Sequence, residues 1–312
     1  MSVLVDAGTR LLVQGITGRE AANFTRECLD YGTEVVAGVT PGKGGDRVYE
    51  VPVFDTVEEA VARTSPNAAL LSVPPLLVLD AALETIAAQI PLVVIITERV
   101  PRADVAILVA AARNAGTTLI GPNSLGVITP GKCKLGSIGG PAEDVRRAYT
   151  PGRVGIVSRS GGMTTEIASM LSGAGIGQST CISVGGDALI GTTLLDAYRL
   201  FVVDAGTDAV VTFSEPGGAQ EHELAEYLDR SGGPSTPIFS FVTGRFIDDM
   251  PGTRFGHAGT IVEAGGSTAR AKILRLRSSG VEVLDRLDDL PAALAASLRE
   301  RAGKTTRAPV GR

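Results

Sequence analysis

The chain has 312 residues, with 29 basic and 34 acidic side chains and a net charge of −5 when both histidines are neutral. This length predicts two domains or one large α/β unit. Because binding to a phosphate backbone draws on clustered Lys and Arg, the acidic balance argues against a nucleic-acid partner. Hydrophobic residues make up 44% of the chain and glycines number 39, a composition typical of a globular α/β protein rather than a disordered one.

The sequence predicts a cytoplasmic protein without a membrane partner. The longest apolar run, Pro91–Ile96, is much shorter than the roughly 20 residues that a membrane helix needs. The N-terminus lacks the basic segment and apolar stretch of a secretory signal. Cys28, Cys133 and Cys181 are odd in number and far apart, which predicts small buried side chains in a reducing compartment rather than disulfides or a zinc site.

Short β-branched runs alternate with helix-length segments through the first half of the chain. The predicted strands are Leu11–Gln14, Glu34–Val39, Ala68–Val73, Leu92–Thr97 and Thr118–Ile120. The predicted helices are Arg19–Tyr31, Val57–Thr64, Val78–Ala88 and Arg102–Ala115. Ala-rich helices between Val- and Ile-rich strands indicate βαβ units and a mostly parallel sheet.

A second alternating unit follows an irregular segment, Ile128–Arg153, whose glycines, prolines and charges predict an inter-domain connection. The strands predicted beyond it are Val154–Ser158, Thr180–Val184, Ala209–Phe213, Ile238–Val242 and Val281–Leu284. The predicted helices are Met163–Gly173, Thr193–Val203, Glu221–Ser231, Thr268–Ser279 and Leu287–Arg301. We therefore expect two doubly wound α/β domains at 1–128 and 153–301, a connection at 129–152 and a basic, disordered tail at 302–312.

The first strand leads into a turn that is typical of nucleotide binding. Gly15, Gly18 and Ala21 have the spacing of the later part of a Rossmann turn, where small residues let the backbone approach a pyrophosphate at a helix N-terminus. An NAD site normally has an acidic residue about 20 residues further on. Here the second strand ends at Val39 without one, and the next turn carries Lys43. This cation favours coenzyme A, which has an extra phosphate, over NAD, although a solvated loop lysine explains the segment too.

A second turn of small and hydroxyl residues opens the second half of the chain. Ser158, Ser160, Gly161 and Gly162 stand between a predicted strand and a predicted helix. Hydroxyl groups, glycine N–H groups and a helix dipole converge at such a turn, which suits a carboxylate or a phosphate. A tight strand-to-helix connection without a ligand explains the same residues.

Only two histidines are present. His222 lies in a charged helical stretch and is expected at the surface. His257 lies in a loop of small residues, which leaves its ring accessible, as a nucleophile that accepts a phosphoryl group requires. Glu215, at the end of a predicted strand, is the candidate to hydrogen-bond one ring nitrogen and leave the other free to attack. Spacing alone favours a merely structural role for His257 over a catalytic one.

Several motifs occur in an order and spacing that match a known family. They are Gln14–Gly18, Gly38–Gly45, Pro52–Phe54, Ile96–Glu98, Ile120–Asn123, Gly155–Gly161, Gly185–Asp187 and Gly256–Gly259. Through them the chain resembles the α subunits of succinyl-CoA synthetase (succinate–CoA ligase) from Val3 to about Leu298. The resemblance implies an N-terminal Rossmann-like CoA-binding domain followed by a flavodoxin-like, doubly wound ligase domain. It also implies a reaction in which a carboxylic acid, CoA and ATP or GTP give acyl-CoA, a nucleoside diphosphate and phosphate.

The resemblance also implies roles for individual residues and for partners. His257 matches the family's phosphohistidine, and Glu215 matches the glutamate that orients it. The implied CoA contacts are Thr17, Gly18, Arg19, Glu20, Lys43, Ile96, Thr97 and Glu98. The implied acid or phosphate contacts are Asn123, Ser160, Gly161, Gly162 and Thr165. An ATP-grasp β subunit would supply the nucleotide site with its Mg²⁺, so that no metal site is expected in this chain.

The chain departs from the succinate enzyme's pattern at several positions. Arg19 and Glu20 differ from the family's usual residues, and Thr165 stands where a tyrosine usually lies near the bound acid. The turn at 161–163 resembles that of ATP-citrate lyase and citryl-CoA synthetase. Malate or a citrate-like acid is therefore the alternative to succinate, and a CoA-binding module without catalysis is a further one.

The loop before the candidate histidine departs as well. Asp248 and Asp249 occupy a segment that usually bears a lysine. Two carboxylates would repel a phosphoryl group if they faced it. The sequence leaves open whether they face the histidine, solvent or a partner.

Overall fold

The computed structural model describes residues 2–250, 256–257, 260 and 266–305, and for 301–305 it describes the backbone alone. Two seven-stranded sheets follow one another along this part of the chain. Each is built mainly from parallel strands with helices between them, as the alternating pattern predicted.

The first sheet has the strand order β3-β4-β2-β1-β5-β6-β7. Its strands are β1 Arg10–Gln14, β2 Glu34–Val39, β3 Arg47–Val48, β4 Val51–Phe54, β5 Ala68–Leu71, β6 Leu92–Ile95 and β7 Thr118–Ile120. Its helices are α1 Arg19–Tyr31, α2 Val57–Thr64, α3 Val78–Ala87 and α4 Arg102–Ala115, with a 3₁₀ turn at Pro75–Leu77. Only the edge pair β3–β4 is antiparallel among its described pairings.

The second sheet has the order β14-β13-β12-β10-β11-β8-β9. Its strands are β8 Gly126–Thr129, β9 Cys133–Leu135, β10 Pro151–Ser158, β11 Gln178–Ser183, β12 Ala209–Ser214, β13 Ile238–Val242 and β14 Glu282–Val283. Its helices are α5 Ala142–Ala148, α6 Gly161–Gly173, α7 Leu194–Val202, α8 Gln220–Arg230, α9 Ala269–Ser278 and α10 Leu290–Thr305, with 3₁₀ turns at Arg245–Asp249 and Leu287–Asp289. Strand β8 pairs antiparallel with both β9 and β11, and the other described pairings of this sheet are parallel.

Alternating side chains of the strands pack on opposite faces of the first sheet. Leu12 of β1 contributes to the apolar cluster under α2, α3 and α4, whereas its neighbours Leu11 and Val13 face the opposite side. That opposite cluster continues through Val127 and Leu135 into the second sheet. Because a strand buried on both faces reads as a continuous apolar run, the central strands were easy to predict. One shared core therefore joins the two halves.

The segment predicted as the connection, 129–152, holds β9, α5 and the start of β10. Strands of three or four residues show no readable period, so the sequence pattern did not reveal the β8–β9 hairpin. The hairpin packs against the first half: Thr129 Oγ1 donates to the carbonyl of Val5 at 2.8 Å, and Thr33 Oγ1 donates to the carbonyl of Lys134 at 2.7 Å. The segment fastens the two halves together.

The last described helix extends into the segment predicted as a tail. Helix α10 continues to Thr305. The rest of the predicted tail, 306–312, lies outside the described residues. Among the described residues, no helix combines the length and apolar character needed to cross a membrane.

The predicted burial of the cysteines is confirmed. Cys28, Cys133 and Cys181 are free and buried. Burial raises the pKa of the Cys28 thiol to about 12 and that of Cys133 to about 11, which keeps both protonated at neutral pH. They act as small apolar side chains.

We expect Gly126→Ala to destabilise the β8–β9 hairpin strongly. Gly126 has φ +115°, and a Cβ there would lie 1.8 Å from the carbonyl oxygen of Leu135. Backbone strain and overpacking together predict a loss of about 3 kcal/mol or more in the free energy of unfolding. Urea denaturation of both proteins measures this loss.

The matched control is Gly173→Ala, at the end of α6. No atom lies within 4 Å of a Cβ added there. Alanine should stabilise the protein by about 0.5–1 kcal/mol, because it reduces the entropy of the unfolded chain. Equal stabilities for Gly126→Ala and the parent chain would contradict the close approach of the two strands.

Candidate active site

The candidate site lies where the central strands of the second sheet end. Parallel strands β10, β11 and β12 are neighbours, so their carboxyl ends share one edge. Arg159 follows β10, Gly186 lies beyond the end of β11, and Glu215 follows β12 directly. This edge is where open α/β sheets bind ligands.

His257 and Glu215 form a hydrogen-bonded pair at this edge. The ring Nδ1 of His257 donates to Oε2 of Glu215 at 2.8 Å. The side chains are 31% and 13% exposed, respectively, so the pair is partly screened from water while the ring remains accessible. The hydrogen bond to Glu215 raises the pKa of His257 above its ordinary value, against the opposing effect of burial. The bond fixes Nδ1 as a donor and leaves Nε2 as the nitrogen able to attack.

A buried lysine holds the turn that carries Glu215. Lys272 Nζ on α9 donates to the backbone carbonyl of Glu215 at 2.9 Å and to that of Gly217 at 2.5 Å. It also forms an ion pair with Glu221 Oε2 at 2.5 Å, and both side chains are buried. Burial lowers the pKa of Lys272. The ammonium group thereby ties α8, α9 and the turn after β12 into one unit.

The other side of the His257 ring packs on a glycine. A Cβ at Gly186 would lie 2.6 Å from the ring carbon Cδ2, so only glycine fits beneath the imidazole. Gly186 donates its N–H to the carbonyl of Asn123 at 3.1 Å. Arg159 Nη2 donates to the carbonyls of Gly186 and Asp187 at 3.5 and 3.1 Å. The ring is thus fixed between Glu215 and the 186–187 turn.

A cleft of about 630 Å³ follows the first glycine turn into the junction between the two halves. It is lined by six of the eight predicted CoA contacts: Gly18, Arg19, Glu20, Ile96, Thr97 and Glu98. Gly18 is the N-cap of α1, where unpaired N–H groups favour phosphate. Thr17 and Lys43 are not among the described lining residues. Thr17 Oγ1 donates to Thr40 Oγ1 at 3.2 Å, and Lys43 lies in the exposed turn that follows.

A second cavity of about 500 Å³ adjoins this cleft and reaches His257. Glu98, Arg99 and Asn123 line both spaces. Asn123 Nδ2 donates to Asp187 Oδ1 at 2.9 Å, which joins the wall of the cleft to the turn beneath the histidine. The cleft and the cavity beside His257 therefore share one wall.

A third cavity of about 310 Å³ also lies against the dyad. Glu215, Thr243, Phe246 and His257 are among its lining residues. His257 therefore lines both the 500 Å³ and the 310 Å³ cavity.

The predicted phosphate turn is formed but is not among the described residues that line these three cavities. Ser160 is the N-cap of α6, and its Oγ accepts a hydrogen bond from Met163 N at 3.3 Å. Gly161 is required for packing, since a Cβ there would lie 2.2 Å from Leu125 Cγ. The space around Gly162 is open. Of the five predicted acid or phosphate contacts, only Asn123 lines the cavities described above.

Thr165 lies one helical turn further along α6. Its hydroxyl group is hydrogen-bonded to the hydroxyl of Tyr149 at 2.8 Å. Tyr149 is buried, and burial raises its pKa. The hydroxyl of Thr165 thus satisfies a buried tyrosine.

Asp248 faces the N-terminus of α9. Its two carboxylate oxygens accept the N–H groups of Ala269 at 2.7 Å and Arg270 at 3.0 Å. A carboxylate at a helix N-terminus is favourable, because it pairs donors that have no partner within the helix. Asp249 is exposed. Asp248 therefore anchors the segment before His257 to the N-terminus of α9.

The remaining histidine serves a loop contact. His222 is half-buried on α8, and its Nε2 is hydrogen-bonded to the carbonyl of Gly266 at 2.6 Å. Among the described residues, no three metal-ligating side chains are close enough to hold a metal ion.

Sequence reasoning missed Arg159, Asp187 and Lys272. The Gly185–Asp187 motif was part of the family match, yet nothing in its spacing indicates that Gly186 lies beneath His257. Lys272 and Arg159 are buried cations, and burial cannot be read from a charged residue in a sequence. The only available signal was that each stands next to small or hydroxyl residues.

Comparison with known families identifies the class of protein. A family model described as a CoA binding domain matches residues 6–99, and one described as CoA-ligase matches 157–281. The chain is thus an α/β protein with a CoA-binding domain followed by a CoA-ligase domain.

Curated relatives define the family more closely. The chain is 44% identical to the succinate–CoA ligase [ADP-forming] subunit alpha of Methanothermobacter thermautotrophicus, over 96% of this chain and 97% of that protein. It is 42% identical to the corresponding subunit of Aquifex aeolicus, over 91% of each. The chain belongs to the succinate–CoA ligase α-subunit family, which confirms the resemblance seen in its motifs.

Solved structures support the fold. The chain is similar to ATP citrate lyase of Methanosaeta concilii in complex with (3S)-citryl-CoA, with a TM-score of 0.89 and 24% identity. The match covers 99% of this chain and 53% of that one, so the chain spans about half of its length. PH0766 of Pyrococcus horikoshii gives a TM-score of 0.65 at 19% identity, over 91% of this chain and 58% of that one. At these identities the likeness concerns the fold alone.

Proposed function

We propose that this chain is the catalytic α subunit of an ADP-forming succinate–CoA ligase. The observation that carries the proposal is the His257–Glu215 pair, placed where the cavity beside the cleft meets the ligase domain. The family's named activity, which the relatives carry, supports succinate as the acid. A CoA-binding module without chemistry would need neither the paired histidine nor the glutamate.

The first step forms a phosphohistidine. The lone pair on His257 Nε2 attacks the γ-phosphorus of the nucleotide, and the bond from that phosphorus to the bridging oxygen breaks. The diphosphate leaves with the electron pair. Glu215 accepts the Nδ1–H bond throughout and offsets the positive charge that develops on the ring.

The second step consumes the phosphoryl group. A carboxylate oxygen of the acid attacks phosphorus, the N–P bond breaks, and its electron pair returns to Nε2. The sulfur of the CoA thiolate then attacks the acyl carbon, and phosphate leaves with the electrons of the C–O bond. The acid must reach both His257 and the CoA thiol, which places it in the 500 Å³ cavity. Arg99 and Arg102 are the cations that line this cavity and suit a dicarboxylate.

The cleft would hold CoA. Gly18 and the N-terminus of α1 suit a pyrophosphate, and Ile96 and Thr97 line the route toward Asn123. Thr17 and Lys43 stay part of the proposal as contacts of the nucleotide end of CoA, since Thr17 precedes Gly18 in the same turn and bonds Thr40, three residues before Lys43. In the same proposal Ser160, Gly161 and Gly162 stabilise phosphate through the N-terminus of α6.

A second subunit completes the enzyme in this proposal. The relatives are named as α subunits, which supports assembly with another chain. An ATP-grasp β subunit would bring the nucleotide and Mg²⁺ to the 310 Å³ cavity beside His257. The proposal includes a cytoplasmic location, which the three free cysteines support because reducing compartments keep thiols free.

The decisive experiment is a CoA-dependent assay of ADP release. The chain is co-expressed with an ATP-grasp β subunit of the same family, and succinate, malate and citrate are compared at equal concentration. We expect succinate to give the highest kcat/KM. The hydroxyl of Thr165 is hydrogen-bonded to Tyr149 and is therefore not available to bind a larger acid. A preference for malate or citrate would correct the substrate. A stable complex that binds CoA yet releases no ADP with any of the three acids would overturn the ligase proposal.

A further inference from the structure

Arg159 is a buried cation with an incomplete set of partners. It is 3% exposed, and its Nη2 donates to two backbone carbonyls in the 186–187 turn. Its Nε is buried without a hydrogen-bond partner among the described residues. A guanidinium group without full hydrogen bonding in a buried position is costly, because removal from water is not repaid.

Among the described residues, no carboxylate forms an ion pair with Arg159. Two other buried cations are each paired with a carboxylate, Lys134 with Glu27 and Lys272 with Glu221. Across the described part of the chain, Arg159 forms no such ion pair, and its described bonds go to carbonyl oxygens. Buried charges are normally paired, so this site is short of one anion.

The location of Arg159 indicates where that anion would be. The guanidinium group binds the carbonyl of Gly186, and Gly186 packs against the imidazole of His257. Its charge is close enough to lower the pKa of His257, whereas Glu215 and Asp187 raise it. Ser160, the N-cap of α6, is the next residue in the chain, so the helix dipole adds to the positive potential.

We propose that Arg159 supplies the buried positive charge that offsets the phosphoryl group on His257. This role rests on the proposed function, in which Nε2 of His257 displaces the diphosphate from the γ-phosphorus. A phosphoryl group adds a charge of about −1.5 to −2, close to a site that lacks one anion. In the resting state the same cation opposes protonation of the imidazole and so favours its nucleophilic form. Arg159 acts through space and through the 186–187 turn, and is therefore a positioning and charge-compensating residue.

The first test uses the full chain alone and follows histidine titration by NMR. With two histidines in the sequence, His222 serves as the internal reference. Arg159→Gln should raise the pKa of His257, since burial alone would then oppose Glu215 and Asp187, whereas Arg159→Lys should leave it near the parent value. An unchanged His257 titration in Arg159→Gln would overturn the charge coupling.

The second test measures phosphohistidine in the complex with the β subunit, using γ-labelled ATP. We expect Arg159→Gln to hold about 10- to 100-fold less phosphoenzyme, the effect of losing a charged partner. Arg159→Lys should recover most of it, because the charge is kept while the fork geometry is lost. Arg153→Met on the same strand removes an exposed ion pair with Asp208 and should match the parent chain within about 2-fold.

Each outcome of the second test is decisive. No phosphoenzyme in the parent complex would contradict the proposed function itself. Parent-like phosphoenzyme in Arg159→Gln, with CoA binding retained, would contradict the role of Arg159 alone. If neither variant at position 159 folds, the guanidinium group is a structural element that holds the 186–187 turn, and the inference fails.

Discussion

His257→Ala is expected to abolish turnover and phosphoenzyme formation while leaving CoA affinity within about 2-fold of the parent value. The imidazole is the proposed phosphoryl acceptor, so its removal should reduce kcat by about 10⁴-fold or more. CoA binding should persist, because His257 lines the cavities beside the cleft and is not among the described residues that line the cleft itself. ADP release, label transfer from γ-labelled ATP and calorimetric CoA titration measure the three quantities.

His222→Ala is the matched control for this experiment. It removes the chain's other histidine, whose ring bonds the carbonyl of Gly266, and it should retain phosphoenzyme formation. Ligase activity surviving in His257→Ala would exclude the phosphohistidine. Loss of CoA binding in the same variant would instead assign His257 a structural role between the 186–187 turn and Glu215.

The fold was largely predictable because its strands are buried on both faces. Apolar runs such as Leu92–Ile95 and Ala209–Ser214 can be recognised without any knowledge of their neighbours. The β8–β9 hairpin could not be recognised, since strands of four and three residues carry too little pattern. Its identity depends on long-range contacts, such as that of Thr129 with Val5, that a local pattern does not contain.

The site was predictable where chemistry restricts the residue type. A nucleophilic imidazole needs a carboxylate partner. Because histidine is scarce in this chain, the pairing of His257 with Glu215 could be predicted, although 42 positions separate the two residues. The supporting residues were not readable. Asn123 and Asp187 lie 64 positions apart and meet only because the sheet brings the ends of the two segments together. Lys272 could equally have been a surface lysine, and only its burial reveals its contact with the turn after β12.

The loop before His257 shows how the structure changes an interpretation. Two acids near a phosphoryl acceptor suggested repulsion of phosphate. Asp248 instead accepts two N–H groups at the start of α9, which engages its carboxylate and anchors the 3₁₀ turn at Arg245–Asp249. Sequence alone cannot separate these outcomes, because they differ only in the direction of one side chain.

Glu215→Gln is expected to lower kcat by about 100-fold or more and to move the acid limb of the pH–rate profile to lower pH. Glutamine keeps an acceptor for the Nδ1–H bond but removes the charge that stabilises the developing imidazolium. In the parent chain Glu215 raises the pKa of His257, so the neutral ring is lost as pH falls through a value above about 6.5. Without that charge the pKa falls, and the neutral ring persists to lower pH.

The raised pKa of His257 also predicts how the free energy of unfolding depends on pH. Because the pKa of His257 is raised on folding, its protonated form adds stability that is fully present below the unfolded value and is lost as pH rises through the folded value. Urea denaturation between these two pKa values should therefore show that the free energy of unfolding of the parent chain falls as pH rises. The fall should be smaller in Glu215→Gln. The control is Glu223→Gln on α8, an exposed carboxylate whose loss should change neither profile.

Glu215 and Arg159 act on the same ring in opposite directions, which makes the pair of variants more informative than either one. Loss of Glu215 should move the acid limb to lower pH, and loss of Arg159 should move it to higher pH. Loss of general integrity at the site would lower kcat in both variants without separating their limbs. Opposite displacements would therefore establish that the imidazole is held between a carboxylate and a guanidinium group, the arrangement that an imidazole needs if it is to be neutral when it attacks and stabilised once it carries phosphate.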